Sequence, residues 1–144
     1  THGAEMNGLG AFLATVNYMQ KHNVVEHLWA YGHKLIMMME RQAKAHGISH
    51  SFKIGGVACA PYYITLDESG ANSFALRTLF SQEMISNGVL MPWIALSYRH
   101  SEDELAATEH AIIQSFKVYR QALDQGVEKY LKGAIIKPVF RKFN

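Results

Sequence analysis

Apolar positions recur at helical spacing along the first segment, with Met6, Leu9, Leu13, Val16 and Met19 falling at three- and four-residue steps. The pattern predicts a helix over 5–21. Gly8 and Gly10 lie inside it. Each weakens a helix by about 1 kcal/mol against alanine, so they are expected to allow close approach of a neighbour. After His22, the pair Asn23 and Glu26 has the form of a capping box for a second helix. Val25, Leu28, Gly32, Leu35 and Met38 or Met39 continue that helix toward 44–45, and Gly47 is its expected stop.

The period changes at Ser51. Phe52-Lys53-Ile54 alternates, Gly55-Gly56 is expected to break it, and Tyr62 to Leu66 reads as a strand from its aromatic and β-branched content. Asp67 to Gly70 is a polar turn, and Ser73 or Asn72 caps a third helix that Asn87-Gly88 ends. The run 89–98 is apolar enough for a buried strand, with Pro92 confining its first part to an edge or bend. Ser101 and Glu104 form a second capping box, and three acids follow at the positive end of a helix dipole. That last helix buries Leu105, Ile112 or Ile113, Phe116, Tyr119 and Leu123 and ends near Gly126. The order is helix, helix, strands, helix, strand, helix, tail. This is an α+β pattern with too few strands for an open parallel sheet.

Composition narrows the class. The 144 residues are 49% hydrophobic and 18% charged, which excludes a disordered tail and allows one domain with a real core. The formal charge of +2 names no acidic partner by itself, but its distribution is uneven. Residues 1–128 carry nine basic and twelve acidic side chains. Residues 129–144 carry Lys129, Lys132, Lys137, Arg141 and Lys142 and no acid. Phe140 and Phe143 interleave with that basic end, a pattern nucleic-acid binders use. Such an end is more often simply solvated, and nucleic acid is not the expected partner. There is no apolar run of membrane-spanning length.

Complete catalytic constellations are missing from the residues themselves. His46 and His50 are four apart but straddle Gly47, and His22, His27 and His33 fall on different helical faces. No His-Glu-x-x-His pattern occurs, and no metal site is expected. The Met37-Met38-Met39 run is expected to fill core. Cys59 is the only cysteine, which forbids an intrachain disulfide and fits a reducing, cytoplasmic setting. It has no visible catalytic partner. No phosphate-binding glycine loop or nucleophile elbow is present.

Four stretches, taken in order, resemble the C-terminal part of class III pyridoxal-phosphate aminotransferases, closest to the glutamate-1-semialdehyde aminomutase branch. Thr1-His2-Gly3-Ala4-Glu5 is similar to that family's Thr-x-Gly-Gly-Glu segment. Ile54-Gly55-Gly56-Val57 is similar to its Gly-x-Gly strand start, and Asn87 to Pro92 to its Gly-Val-x-x-x-Pro strand. Ser97-Tyr98-Arg99-His100-Ser101-Glu102-Asp103-Glu104-Leu105 is similar to its Ser-x-x-His-Thr-x-x-Asp-Ile helix start. The resemblance covers about residues 1–124.

It implies the C-terminal small domain of a fold-type I enzyme, a small antiparallel sheet covered by helices and preceded by a long linking helix. Residues 1–22 would be the linking helix from the end of the large domain, 23–126 the small α+β domain, and 127–144 the basic tail. The implied cofactor is pyridoxal 5'-phosphate in the parent enzyme, held as an aldimine by a lysine upstream of Thr1. The expected partners are then the large domain of the same polypeptide, a second copy in a homodimer, and a small amino-group donor or acceptor.

Thr1 matches the family's phosphate-binding threonine. It is the one cofactor-binding residue the resemblance carries over, and no catalytic residue is carried over. The chain opens without methionine or signal pattern, so it is expected to be excised from something longer and inactive alone. Between Pro92 and Ser97 it is shorter than the aminomutases and lacks their substrate-facing glutamate. Trp93 falls near the position where ordinary class III enzymes carry an arginine for the substrate carboxylate, and nothing supports matching Arg99 to that residue. The alternative from another class is a stand-alone, non-catalytic α+β module that binds protein or RNA through its basic tail.

Overall fold

A computed structural model describes residues 5–137. Four α-helices, a two-stranded hairpin and a final 3₁₀ turn run in the order α1 (Met6–Lys21), α2 (Val24–Ala45), β1 (Phe52–Val57), β2 (Ala60–Thr65), α3 (Phe74–Ser86), α4 (Glu102–Gln125) and η1 (Val127–Lys129). The architecture is the α+β arrangement read from the pattern, with a small antiparallel sheet covered by α2, α3 and α4.

The helix ends follow the local chemistry of the sequence. At α2, Gly47 takes φ +67°, so its N–H reaches the Lys44 carbonyl and the Ile48 N–H reaches the Ala43 carbonyl. The same pairing closes α3 at Gly88 (φ +84°), where the Val89 N–H donates to the Met84 carbonyl. Ser73 accepts from the Leu76 N–H at the start of α3, and the Ser101–Glu104 capping box is fully formed at α4. The expected box at Asn23 is not. Asn23 sits in the left-handed region at φ 50° with no side-chain cap bond, because α1 turns into α2 within two residues and needs a residue that tolerates that backbone.

Gly55-Gly56 does not break β1. The strand runs through both glycines, pairing Gly55 with Tyr62 and Gly56 with Pro61. The Tyr62 ring lies across Gly55, so close that an added Cβ would meet its Cζ at 2.9 Å. β2 correspondingly starts two residues earlier than its aromatic run suggests. Phe52, Ile54, Tyr63 and Thr65 share the face turned to the helices.

No strand forms over 89–98, contrary to the sequence expectation. The segment bends at Pro92, and side chains take up backbone carbonyls that a ladder would have used. The Tyr63 hydroxyl donates to the Met91 and Pro92 carbonyls at 3.1 and 3.2 Å, and Arg77 Nη2 donates to Pro92 O at 2.9 Å. Met91 and Ile94 are nonetheless buried, so the apolar run fills core as an irregular wall.

Phe52, Tyr63, Phe80, Phe116 and Tyr119 form the centre of that core, with ring centroids 4.9–6.4 Å apart in mostly edge-to-face pairs. Met38 and Met39 pack there, while Met37 of the same run faces outward. Val127 also packs on this core, and the chain beyond it returns along α3. Lys132 N donates to Gln82 Oε1, and Ile136 N to Thr78 Oγ1. Arg141 and Lys142 lie outside the described residues, as do Phe140 and Phe143.

α1 stands apart from this packing. It buries none of its residues, and Met6, Leu9, Phe12 and Leu13 are exposed. Nothing described lies within 4 Å of a Cβ placed on Gly8 or Gly10, so the close approach expected of those glycines is to nothing in the described residues.

Candidate binding cleft

A cavity of about 360 Å³ opens between α2, the 88–96 wall and the first turns of α4. Its sides are apolar: Leu35 from α2, Val89 to Met91 and Ile94 to Leu96 from the wall, and Ala107 from α4. Leu90 and Trp93 stand at its surface and are 77% and 68% exposed. One corner is polar, formed by Tyr31, His100 and Glu104.

Each member of the corner is placed by local structure. Tyr31 precedes Leu35 by four residues, which puts both on the inner face of α2. Its ring lies 5.4 Å from that of His100. His100 is held from both sides: His27 Nε2 meets its carbonyl at 3.0 Å, and the Ser97 N–H donates to its Nδ1 at 3.3 Å. Tyr98 wedges between the two first helices, with its ring 5.1 Å from His27 and 6.1 Å from Tyr18. Glu104 is fixed by the capping box, where its Oε2 accepts from the Ser101 N–H at 2.7 Å and from Ser101 Oγ at 2.5 Å. The wall is anchored by Tyr63 and Arg77, and the guanidinium of Arg77 lies over the Tyr63 ring at 4.9 Å. Across the top, Lys34 pairs with Glu102, and Arg41 and Gln42 both donate to Glu109, tying α2 to α4.

The corner holds the Glu104 carboxylate with His100 beside it. The hydroxyl and then the N–H of Ser101 hold the Glu104 carboxyl below the usual carboxylate range. Burial pushes the Tyr31 phenol up, and the charges of Glu104 and Glu102 push it further. The phenol therefore remains a neutral hydroxyl.

The other sequence candidates scatter. Thr1 lies outside the described residues. His46 binds the Gln42 carbonyl through Nδ1 at the end of α2, and His50 is exposed in the following turn. Cys59 sits half-buried and free in the hairpin turn. Trp93 lines the cleft, whereas Arg99 is exposed and does not. Among the described residues, no three His, Cys, Asp or Glu side chains lie close enough to hold a metal ion, and no helix is long and apolar enough to cross a membrane. Sequence reasoning missed that Tyr31 and Glu104 line one cleft. The four-residue step from Tyr31 to Leu35 was its one local signal, and the capping role of Glu104 concealed the other half.

No protein-family model matches the chain, and no curated protein matches it significantly. Among solved structures, the chain is similar to the PLP internal aldimine form of the FumI protein of Sphingopyxis sp. MTA144. The TM-score is 0.68 at 22% identity, and the match covers 78% of this chain and 27% of that one. The likeness shows the fold, and the neighbour in which it occurs is PLP-bound. The chain spans about a quarter of the structure it matches.

Proposed function

We propose that this chain is the C-terminal, small-domain portion of a pyridoxal-phosphate-dependent enzyme of amino-group transfer, an aminotransferase or an aminomutase of the glutamate-1-semialdehyde type. The observation that carries this reading is the likeness to part of a PLP-bound protein over most of the present chain. The order of the four family-like stretches and an α1 whose apolar side chains have no cover support it. In this reading α1 docks its apolar face on the preceding large domain, and the assembly is a cytoplasmic homodimer acting on a small amino-group donor and acceptor.

Bound pyridoxal phosphate supplies an electron sink for such chemistry. The described residues do not by themselves fit it. The cleft is lined by no lysine, and the carboxylate of Glu104 opposes a phosphate there. The groups that hold the cofactor therefore belong to preceding polypeptide, with Thr1 proposed as a donor to the phosphate. What the described residues contribute is a shaped apolar wall and its fixed polar corner.

The test is to add pyridoxal phosphate to the purified chain, trap any aldimine with borohydride and map the modified lysines by mass. The expected result is no stoichiometric adduct at a single lysine, while a polypeptide extended through the large domain traps one upstream of Thr1. A single stoichiometric lysine adduct within residues 1–144 overturns the assignment.

A further inference from the structure

We infer that the cleft between α2, the 88–96 wall and the start of α4 is a binding site for a small apolar primary amine, its ammonium held by Glu104 and the Tyr31 hydroxyl. Tyr31 is only 6% exposed, lines the cavity, and has no hydrogen-bond partner for its hydroxyl. That oxygen is not sealed off, because Ser115 Oγ is the buried side-chain polar atom left without a partner among the described residues. A hydroxyl removed from bulk water but open to a cavity is a place where an incoming polar group gains a bond without displacing one.

Charge selects which polar group. The Ser101 N–H and hydroxyl both donate to Oε2 of Glu104, and Oε1 takes no bond from Ser101. The Ser97 N–H donates to Nδ1 of His100, which fixes that ring in the corner. Lys34 is engaged with Glu102, and Arg99 is not among the lining residues, so His100 is the one basic side chain lining the cleft that acts on Glu104. A carboxylate and a hydroxyl oxygen together suit an ammonium, and the same carboxylate disfavours an anion. The rest of the lining asks for an apolar body. Leu35, Met91, Ile94 and Leu96 surround it, Trp93 offers an aromatic face at the mouth, and about 360 Å³ lies at the small end of the range for ligand cavities.

The amine site stands on the described residues alone and does not depend on the pyridoxal-phosphate reading; lysine trapping and amine titration are read separately. Titration of the 144-residue chain with hexylamine, followed by calorimetry and by the fluorescence of Trp93 in a Trp29→Phe background, should saturate at one site. Hexanol and hexanoate should bind more weakly by about tenfold or more, since neither offers the charge-assisted bond. Glu104→Gln retains the helix cap, because glutamine serves that position too. It should weaken hexylamine about tenfold and narrow the gap to hexanol. Tyr31→Phe should weaken it about threefold through loss of one hydroxyl contact. Absence of saturable hexylamine binding, equal binding of hexanol or hexanoate, or unchanged affinity in Glu104→Gln each overturns the assignment.

Discussion

Two glycines on the first two helices carry opposite instructions. At Gly32 an added Cβ would lie 1.7 Å from the Ala58 carbonyl oxygen and 2.6 Å from its carbon, so the tip of the hairpin seats directly on the α2 backbone. Neither partner is a flexible side chain, and the clash is relieved only by moving the hairpin. Gly32→Ala should therefore destabilise the chain by about 1–3 kcal/mol, measured as a lowered urea midpoint. Gly8 meets nothing described, so Gly8→Ala should instead add about 1 kcal/mol of helix propensity to α1 and raise its helicity by circular dichroism. The sequence presents both as glycines in a helical pattern. Only the residue across the gap distinguishes them.

At the scale of elements, α4 shows how a local motif also supports a site. The carboxyl of Glu104 is held below its ordinary value of 4.5 by the Ser101 hydroxyl and N–H. A depressed folded value means that the stabilisation is fully present above pH 4.5 and is lost as the pH falls from there through the folded value. Urea midpoints measured from pH 6 down to about pH 3 should fall, and Glu104→Gln should flatten that fall, since its amide cap does not titrate. An identical acid slope in the variant would show that the cap does not carry it. The 89–98 segment makes the complementary point. Its apolar composition announces burial correctly, but burial alone does not make a strand. With Pro92 lacking an N–H and with Tyr63 and Arg77 bonded to its carbonyls, the segment bends and becomes the wall of the cleft.

For the whole molecule, the contrast between its two halves matters most. The interior around Phe52, Phe80 and Phe116 is closed, whereas α1 presents Met6, Leu9, Phe12 and Leu13 to water on a helix that buries nothing. Apolar faces of that extent rarely stay open. In the absence of further polypeptide, the chain is expected to associate with rising concentration in sedimentation experiments. Leu9→Glu combined with Leu13→Glu should return it to monomer without lowering its urea midpoint, because neither side chain is part of the core. A loss of midpoint in that variant would show that α1 is integral to the fold rather than a surface awaiting a partner.

The amino-acid order by itself determined the elements whose causes are local: the helices with their periodic apolar faces, the glycine stops at 47 and 88, the serine caps at 73 and 101, and the α+β class they compose. Neighbours in sequence suffice for these, because caps and helical faces act within one or two turns. Tertiary structure alone decided that Asn23 serves as a turn rather than a cap, that the glycine pair continues β1 under the Tyr62 ring, and that 89–98 is a wall. It also placed Tyr31 and Glu104, 73 positions apart in the chain, in the lining of one cleft. Those outcomes depend on which distant backbone or side chain arrives to satisfy a polar group or fill a gap, and a one-dimensional pattern does not encode that arrival.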